Sequence, residues 1–294
     1  MAFSTSPLRY PGGKSCLYEL TAQILRLNDL RRRPYAEPYA GGCGLALALL
    51  FKGDVSEIHI NDIDPSIWAF WHCVLNRTDD FIAKLERTPV TVPEWRKQRR
   101  IHAAMDIKKP LELGFSAFFL NRTNRSGIIK GAGVIGGLKQ DGDYPIDCRF
   151  SKEALAHRIK RIANYSDCIY LTRMDALAFL KSSTKKLPAD TFFCIDPPYW
   201  SKGGKLYTNA YSQDDHATVA EAVLSLDRPW VVTYDDTSEI RSHYRERRQY
   251  LFDINYSVQT KRIGSELLIA SKGLRLPDEI KDRQVHRPQY RKAA

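Results

Sequence analysis

The sequence predicts an α/β fold built on a parallel sheet, and three observations carry that prediction. Short apolar runs, such as Phe-Phe-Cys-Ile at 192–195, stop abruptly at an acid, a glycine loop or a proline. Helical stretches follow those stops and give a strand–helix rhythm along most of the chain. The rhythm breaks between about 76 and 149, which marks an insertion.

Size and composition set the outer bounds. With 294 residues, 43% of them hydrophobic, the chain can build one large domain, or a domain with a sizeable insertion. Its formal charge of +11 suits an anionic partner such as nucleic acid, although a merely soluble basic protein shows the same balance. The six cysteines form no C-x-x-C pair, so neither a zinc site nor a disulfide framework is expected, and reduced thiols in a cytosol fit best. No apolar leader opens the sequence, and no run of 18 apolar residues occurs, so secretion and membrane spanning are not expected.

Taken in order, the first informative stretch is Leu8-Arg9-Tyr10-Pro11-Gly12-Gly13-Lys14-Ser15. Its glycines let the backbone bend close to a ligand, and Lys14 opens a helix predicted over 15–27. Backbone N–H groups and an ammonium there would hold a carboxylate or phosphate, while a simple capped turn explains the same residues. Walker A spacing is absent. Next, Tyr35-Ala36-Glu37-Pro38-Tyr39-Ala40-Gly41-Gly42-Cys43-Gly44 and the apolar run behind it read as strand, glycine loop and buried helix. A dinucleotide loop would carry a third glycine where Leu47 stands, so the pyrophosphate signature is missing. A second strand at 57–60 ends in Asn61-Asp62-Ile63-Asp64-Pro65. An acid at that position binds a ribose diol in nucleotide-binding sheets, and Asp62 suits it, whereas Asp64 before Pro65 suits a helix N-cap.

The insertion holds 14 Lys and Arg against 9 Asp and Glu, a net +5. Arg96-Lys97-Gln98-Arg99-Arg100 clusters on a predicted helix, where Arg96 and Arg99 either meet phosphates or form a solvated face. Further on, Asn121-Arg122-Thr123-Asn124-Arg125-Ser126-Gly127 leads into a glycine-rich stretch. Arginine reads guanine and asparagine reads adenine in the major groove, which makes Arg122, Asn124 and Arg125 candidate base readers.

The stretch Asp196-Pro197-Pro198-Tyr199 closes the apolar run at 192–195. Neither proline extends a ladder, so the strand must end there and the turn is stiff. An exocyclic amine on a nucleobase is a poor nucleophile, because its lone pair is delocalised into the ring. Hydrogen bonds from its N–H groups to Asp196 and to the Pro197 carbonyl would localise that pair, and Tyr199 offers a face for stacking. Read alone, the same tetrapeptide serves equally well as a strand end, a polyproline turn and a core tyrosine.

Together, Y-P-G-G-K, E-P-Y-A-G-G-C-G, N-D-I-D and D-P-P-Y occur in an order that resembles the D12 class of adenine-specific DNA methyltransferases, over residues about 7 to 272. Tyr10 stands where that family often has tryptophan, and Cys43 where it often has alanine. The resemblance implies a Rossmann-like methyltransferase domain at 1–75 and 150–275, with a mostly helical recognition insertion at 76–149 that carries a β-hairpin. It implies transfer of a methyl group from S-adenosyl-L-methionine to N6 of an adenine flipped out of double-stranded DNA. Asp196, Pro197, Pro198 and Tyr199 would be catalytic. Tyr10, Gly12, Lys14, Glu37, Gly41, Gly42, Gly44, Asp62, Asp175 and Asp196 would face the cofactor, with Asp175 equally placed to cap a helix. A cytoplasmic monomer without metal is expected. The alternatives are an RNA methyltransferase acting on an exocyclic amine, and an inactive DNA-binding relative. The loop at 201–207 is expected to order over the substrate, Ser212 or Asp214 to cap the next helix, and the tail from 276 to be poorly ordered.

Overall fold

The computed structural model of the chain describes residues 5–9, 13–201, 211–256 and 262–288. Its strands are β1 (Tyr35–Glu37), β2 (Ile58–Asn61), β3 (Ile169–Thr172), β4 (Phe192–Ile195), β5 (Trp230–Asp235), β6 (Arg248–Tyr256), β7 (Arg262–Ala270) and β8 (Gln284–His286). They form one sheet in the order β3-β2-β1-β4-β5-β7-β6-β8. Strand β4 pairs parallel with β1 and β5, whereas β7 runs antiparallel to both β5 and β6. The sheet is therefore mixed, and the order reverses between β1 and β4. Ligands of open α/β sheets bind beyond the carboxyl ends of the strands at such a reversal.

Two compact units divide the chain. The first comprises Met1–Ser15, Ala40–Ala48 and Ile60–Met174. Its helices are α3 (Pro65–Asn76), α4 (Thr78–Arg87), α5 (Val92–Ala104), α6 (Pro110–Thr123) and α7 (Lys152–Ala163), and the loop 41–43 leads into α2 (Gly44–Phe51). Phe70, Phe81, Phe115, Phe118, Phe119 and Phe150 pack ring against ring, mostly edge-on or tilted, and supply its core. Helices α3 and α6 approach closely because residue 114 is glycine: a Cβ there would lie 2.6 Å from the Ala69 backbone. Asp64 caps α3, accepting from the Ser66 and Ile67 N–H groups, with Pro65 at the first helical position, as expected from the sequence.

The second unit comprises Cys16–Tyr39, Leu49–His59 and Asp175–Ala294. It contains α1 (Tyr18–Leu27), α8 (Ala176–Lys186), α9 (Gln213–Leu224), α10 (Ser238–His243) and α11 (Asp278–Lys281). Helix α1 starts later than predicted because Lys14–Leu17 form a 3-10 turn. Ser212 caps α9 through a reciprocal box with Asp215.

Two expectations need correction. The tail is not a loose end up to residue 286: α11 buries Ile280, and β8 adds to the edge of β6. A single buried isoleucine and a three-residue strand are too weak a pattern to stand out in a proline- and charge-rich stretch. The expected hairpin is also reduced to its closure. Asn124 and Val134 make one antiparallel bridge, Arg125 N–H donates to the Gly133 carbonyl and Ile135 N–H to the Thr123 carbonyl. Gly127, Gly131, Gly136 and Gly137 all take positive φ, which breaks the extended backbone that a ribbon needs.

Candidate active site

In the second unit, residues from three neighbouring strands meet at the end of β4. Ile195 pairs with Val232, which puts Asp196 beside Thr233. The Thr233 hydroxyl donates to Asp196 Oδ1 at 2.8 Å. That bond fixes the rotation of the carboxylate. Pro197 and Pro198 are buried. Tyr199 is 3% exposed, and its hydroxyl donates to Glu266 on β7, itself fully buried. Stacking of a base on this ring thus requires the covering groups to give way. The turn is held from its far side by Asp235, the last residue of β5, whose Oδ1 accepts from Trp200 N–H (2.8 Å) and whose Oδ2 accepts from Ser201 N–H (2.9 Å). Thr233, Asp235 and Glu266 carry no motif. Only the strand register reveals them, although their place at strand ends beside Asp196 is the signal that a sheet order would have supplied.

Glu37 ends β1, next to β4 at the reversal of strand order, and its Oε1 accepts from the Tyr35 hydroxyl at 2.7 Å. Asp175 is exposed and caps α8: its Oδ1 accepts from Leu177 N–H (2.9 Å) and Ala178 N–H (3.4 Å). The capping alternative thus describes what it does here.

In the first unit, the glycine loop and Asp62 are joined directly. Gly41, at φ 45°, donates its N–H to Asp62 Oδ2 at 2.9 Å, and Asp64 N–H donates to Oδ1 at 3.0 Å. Trp71 Nε1 holds the Gly41 carbonyl at 2.9 Å, and Gly42 is buried behind it. Burial pushes the Asp62 carboxyl up to about 7; Asp64 adds to the shift, and the two backbone N–H groups partly offset it. Lys14 is 6% exposed. A Cβ at Gly44 would strike the Ser15 hydroxyl, so a side chain there would displace Ser15. Neighbouring Asn61 fastens the end of β2: its Oδ1 accepts from the Thr172 hydroxyl (2.7 Å) and Met174 N–H (2.9 Å). Tyr10 and Gly12 lie outside the described residues, as does the loop from 202 to 207.

The candidate DNA contacts divide by burial. Arg96 and Arg99 are exposed on α5, Arg99 lying 4.8 Å over the Trp95 ring. Arg125 is exposed at the mouth of the loop. Asn124, 1% exposed, is a correction to the reader set. Its Oδ1 accepts from Trp95 Nε1 at 2.7 Å and its amide donates to the Ile128 and Ile129 carbonyls, so it closes the loop from inside. Arg122 is half-buried, with Nε donating to the Arg149 carbonyl at 2.7 Å. Its Nη1 reaches the Pro7 carbonyl at 3.5 Å.

An acid–proline turn at the carboxyl end of a central strand, and a glycine loop tied to a buried carboxyl, are what this α/β protein presents at its strand ends. The chain belongs to the D12 class N6 adenine-specific DNA methyltransferase family, whose model matches residues 10–262. No curated protein matches it. The family acts on DNA and implies S-adenosylmethionine as methyl donor. The donor set fits that molecule: each Asp62 carboxylate oxygen accepts a single backbone N–H and so retains acceptor capacity that a diol could use. Among the described residues no group of His, Cys, Asp and Glu could hold a metal, and no helix is long and apolar enough to cross a membrane.

Proposed function

We propose that the protein transfers a methyl group to N6 of an adenine extruded from duplex DNA, and that Asp196 and the Pro197 carbonyl activate that amine. The observation that carries the reading is the bond from Thr233 to Asp196 Oδ1. It presets a carboxylate at the end of a strand whose next two residues, being prolines, cannot continue it. S-adenosylmethionine supplies an electrophilic methyl group on a sulfonium. The protein supplies placement. Asp196 and the Pro197 carbonyl each accept one N–H of the amine, so its lone pair is localised and points away from both. These interactions strengthen as positive charge develops on N6, and so act on the transition state more than on the bound substrate. Tyr199, anchored through its hydroxyl, stacks the extruded base, offsetting part of an unstacking cost of a few kcal/mol. Asp62 accepts the ribose hydroxyls of the cofactor, and Lys14 and the loop at 41–44 serve the same site. Arg125 reads a base edge, and Arg96 and Arg99 meet phosphates.

Incubation with tritium-labelled S-adenosylmethionine and either duplex DNA or RNA tests the reading. Label in DNA, recovered as N6-methyladenine, is the expected result. Label in RNA alone would replace it with the RNA alternative, and tight cofactor binding with no label in any DNA would show an inactive relative.

A further inference from the structure

We propose that Arg9, Arg122, Arg149 and Arg158 together form an anion site that takes a phosphodiester of the DNA backbone; this rests on the reading of the protein as a DNA methyltransferase. All four belong to the first unit, contributed by the N-terminal segment, α6, the stretch before α7, and α7 itself. Two of them reach the main chain just before Arg9, and the other two are tied to Arg122 and its neighbour Asn124. Arg158 Nη1 reaches the Ser6 carbonyl and Arg122 Nη1 the Pro7 carbonyl, both at 3.5 Å. Arg9 Nη1 reaches the Asn124 carbonyl at 3.5 Å, and Arg122 Nε the Arg149 carbonyl at 2.7 Å.

Every one of those acceptors is neutral. Among the described residues no carboxylate pairs with any of the four arginines, and residues 1–4 and 10–12 contain no Asp or Glu. Burial, then the charges of Arg9, Arg158 and Arg149, pull the Arg122 guanidinium down to about 9. Arg9 is lowered by burial and by Arg149. Cations crowded in this way repel one another, and a bound anion relieves that repulsion. Three of the four hydrogen bonds lie at the outer limit of the interaction, so most of the five donors on each guanidinium remain to be used. Arg149 is exposed and Arg9 and Arg158 half-exposed, so the cluster opens to solvent. Guanidinium forks match phosphate oxygens, which spread one charge over several acceptors, better than they match a single base edge shared among four cations. No sequence motif marks the site, because its members stand at positions 9, 122, 149 and 158.

The test uses the full chain, fluorescence anisotropy, and a duplex that the enzyme methylates. Arg149→Gln and Arg158→Gln should each flatten the slope of log affinity against log salt by about one unit, on cognate and random duplexes alike. A series of duplexes with one neutral methylphosphonate each should reveal a position where wild-type affinity falls about tenfold or more. At that position Arg149→Gln and Arg158→Gln should lose little further. Arg158→Lys, which keeps the charge and the fold, should retain the slope. Circular dichroism and thermal melting identify any variant that has simply unfolded. If wild-type enzyme binds and methylates DNA but no methylphosphonate position couples to Arg149 or Arg158, this site is refuted and the methyltransferase reading stands. Stabilisation by millimolar inorganic phosphate without such coupling would likewise refute it, in favour of a site for free anion. A wild-type chain that neither binds nor methylates DNA would refute both.

Discussion

In the turn after β4 the acids are tied down before any substrate arrives. Thr233 holds Asp196, Tyr199 holds Glu266, and Asp235 grips the main chain of Trp200 and Ser201. Around the loop after α6 the charged groups are treated in the opposite way. Arg9, Arg122 and Arg158 reach carbonyls, and the stretch is shaped by glycines at positive φ. The first region needs geometry, because a misplaced acceptor forfeits transition-state stabilisation. The second needs charge, because the backbone of DNA rewards cations that are not already neutralised. A carboxylate is fixed by donors from neighbouring strands; an arginine is kept available by denying it an acid.

Four perturbations sharpen or break this contrast, taken from the largest expected effect to the smallest. Tyr199→Phe removes the buried bond to Glu266 while keeping a ring for stacking. It should cost about 1–3 kcal/mol in stability, read as a lower melting temperature, because Glu266 loses that donor inside the core. An unchanged melting temperature would mean that the turn is not pinned from β7. Gly114→Ala strikes the scaffold of the other region, forcing a Cβ against the Ala69 backbone. About 1–3 kcal/mol of destabilisation is expected in chemical denaturation, and a neutral result would show that α3 and α6 can slide apart freely.

Asp62 provides the third. Its carboxyl has a pKa raised from 3.8 to about 7, so the protonated form is favoured by the fold. The free protein therefore loses stability as pH rises through the window from 3.8 to about 7, and a bound diol offsets that loss. Cofactor affinity by calorimetry should fall about tenfold for each pH unit below 7 and level off above it. Asp62→Asn should abolish the pH dependence, and a flat wild-type profile would remove Asp62 from the ribose. The fourth compares two exposed arginines. Arg125→Ala should relax discrimination at one base position by about 1–3 kcal/mol, whereas Arg99→Ala should weaken all duplexes alike and flatten the salt slope by about one unit. Equal losses on cognate and random DNA for both would leave the loop without a reader.

What the sequence made legible follows the same division. The strand ends before Asp62 and Asp196 and the cap at Asp64 were readable, because an apolar strand that stops at an acid or a proline has few local alternatives. The fates of Asn124 and Arg122 were not. An asparagine in a glycine-rich stretch looks the same whether it faces a base or closes a loop. Its burial is decided by Trp95, 29 residues earlier. Arg122 is held by the carbonyls of Arg149, 27 residues later, and of Pro7, 115 residues earlier. Thr233, Asp235 and Glu266 became visible only once β4, β5 and β7 were aligned, since their significance is a matter of register.

Single-turnover methylation by Asp196→Ala, measured beside DNA binding by the same variant, tests most directly whether chemistry resides in the turn. The prolines still set the backbone, so fold and DNA binding should persist. The rate should drop roughly 10²–10³-fold, as when one preorganised transition-state contact worth about 3–4 kcal/mol is removed. Methylation at the wild-type single-turnover rate would contradict the assignment of the amine to Asp196.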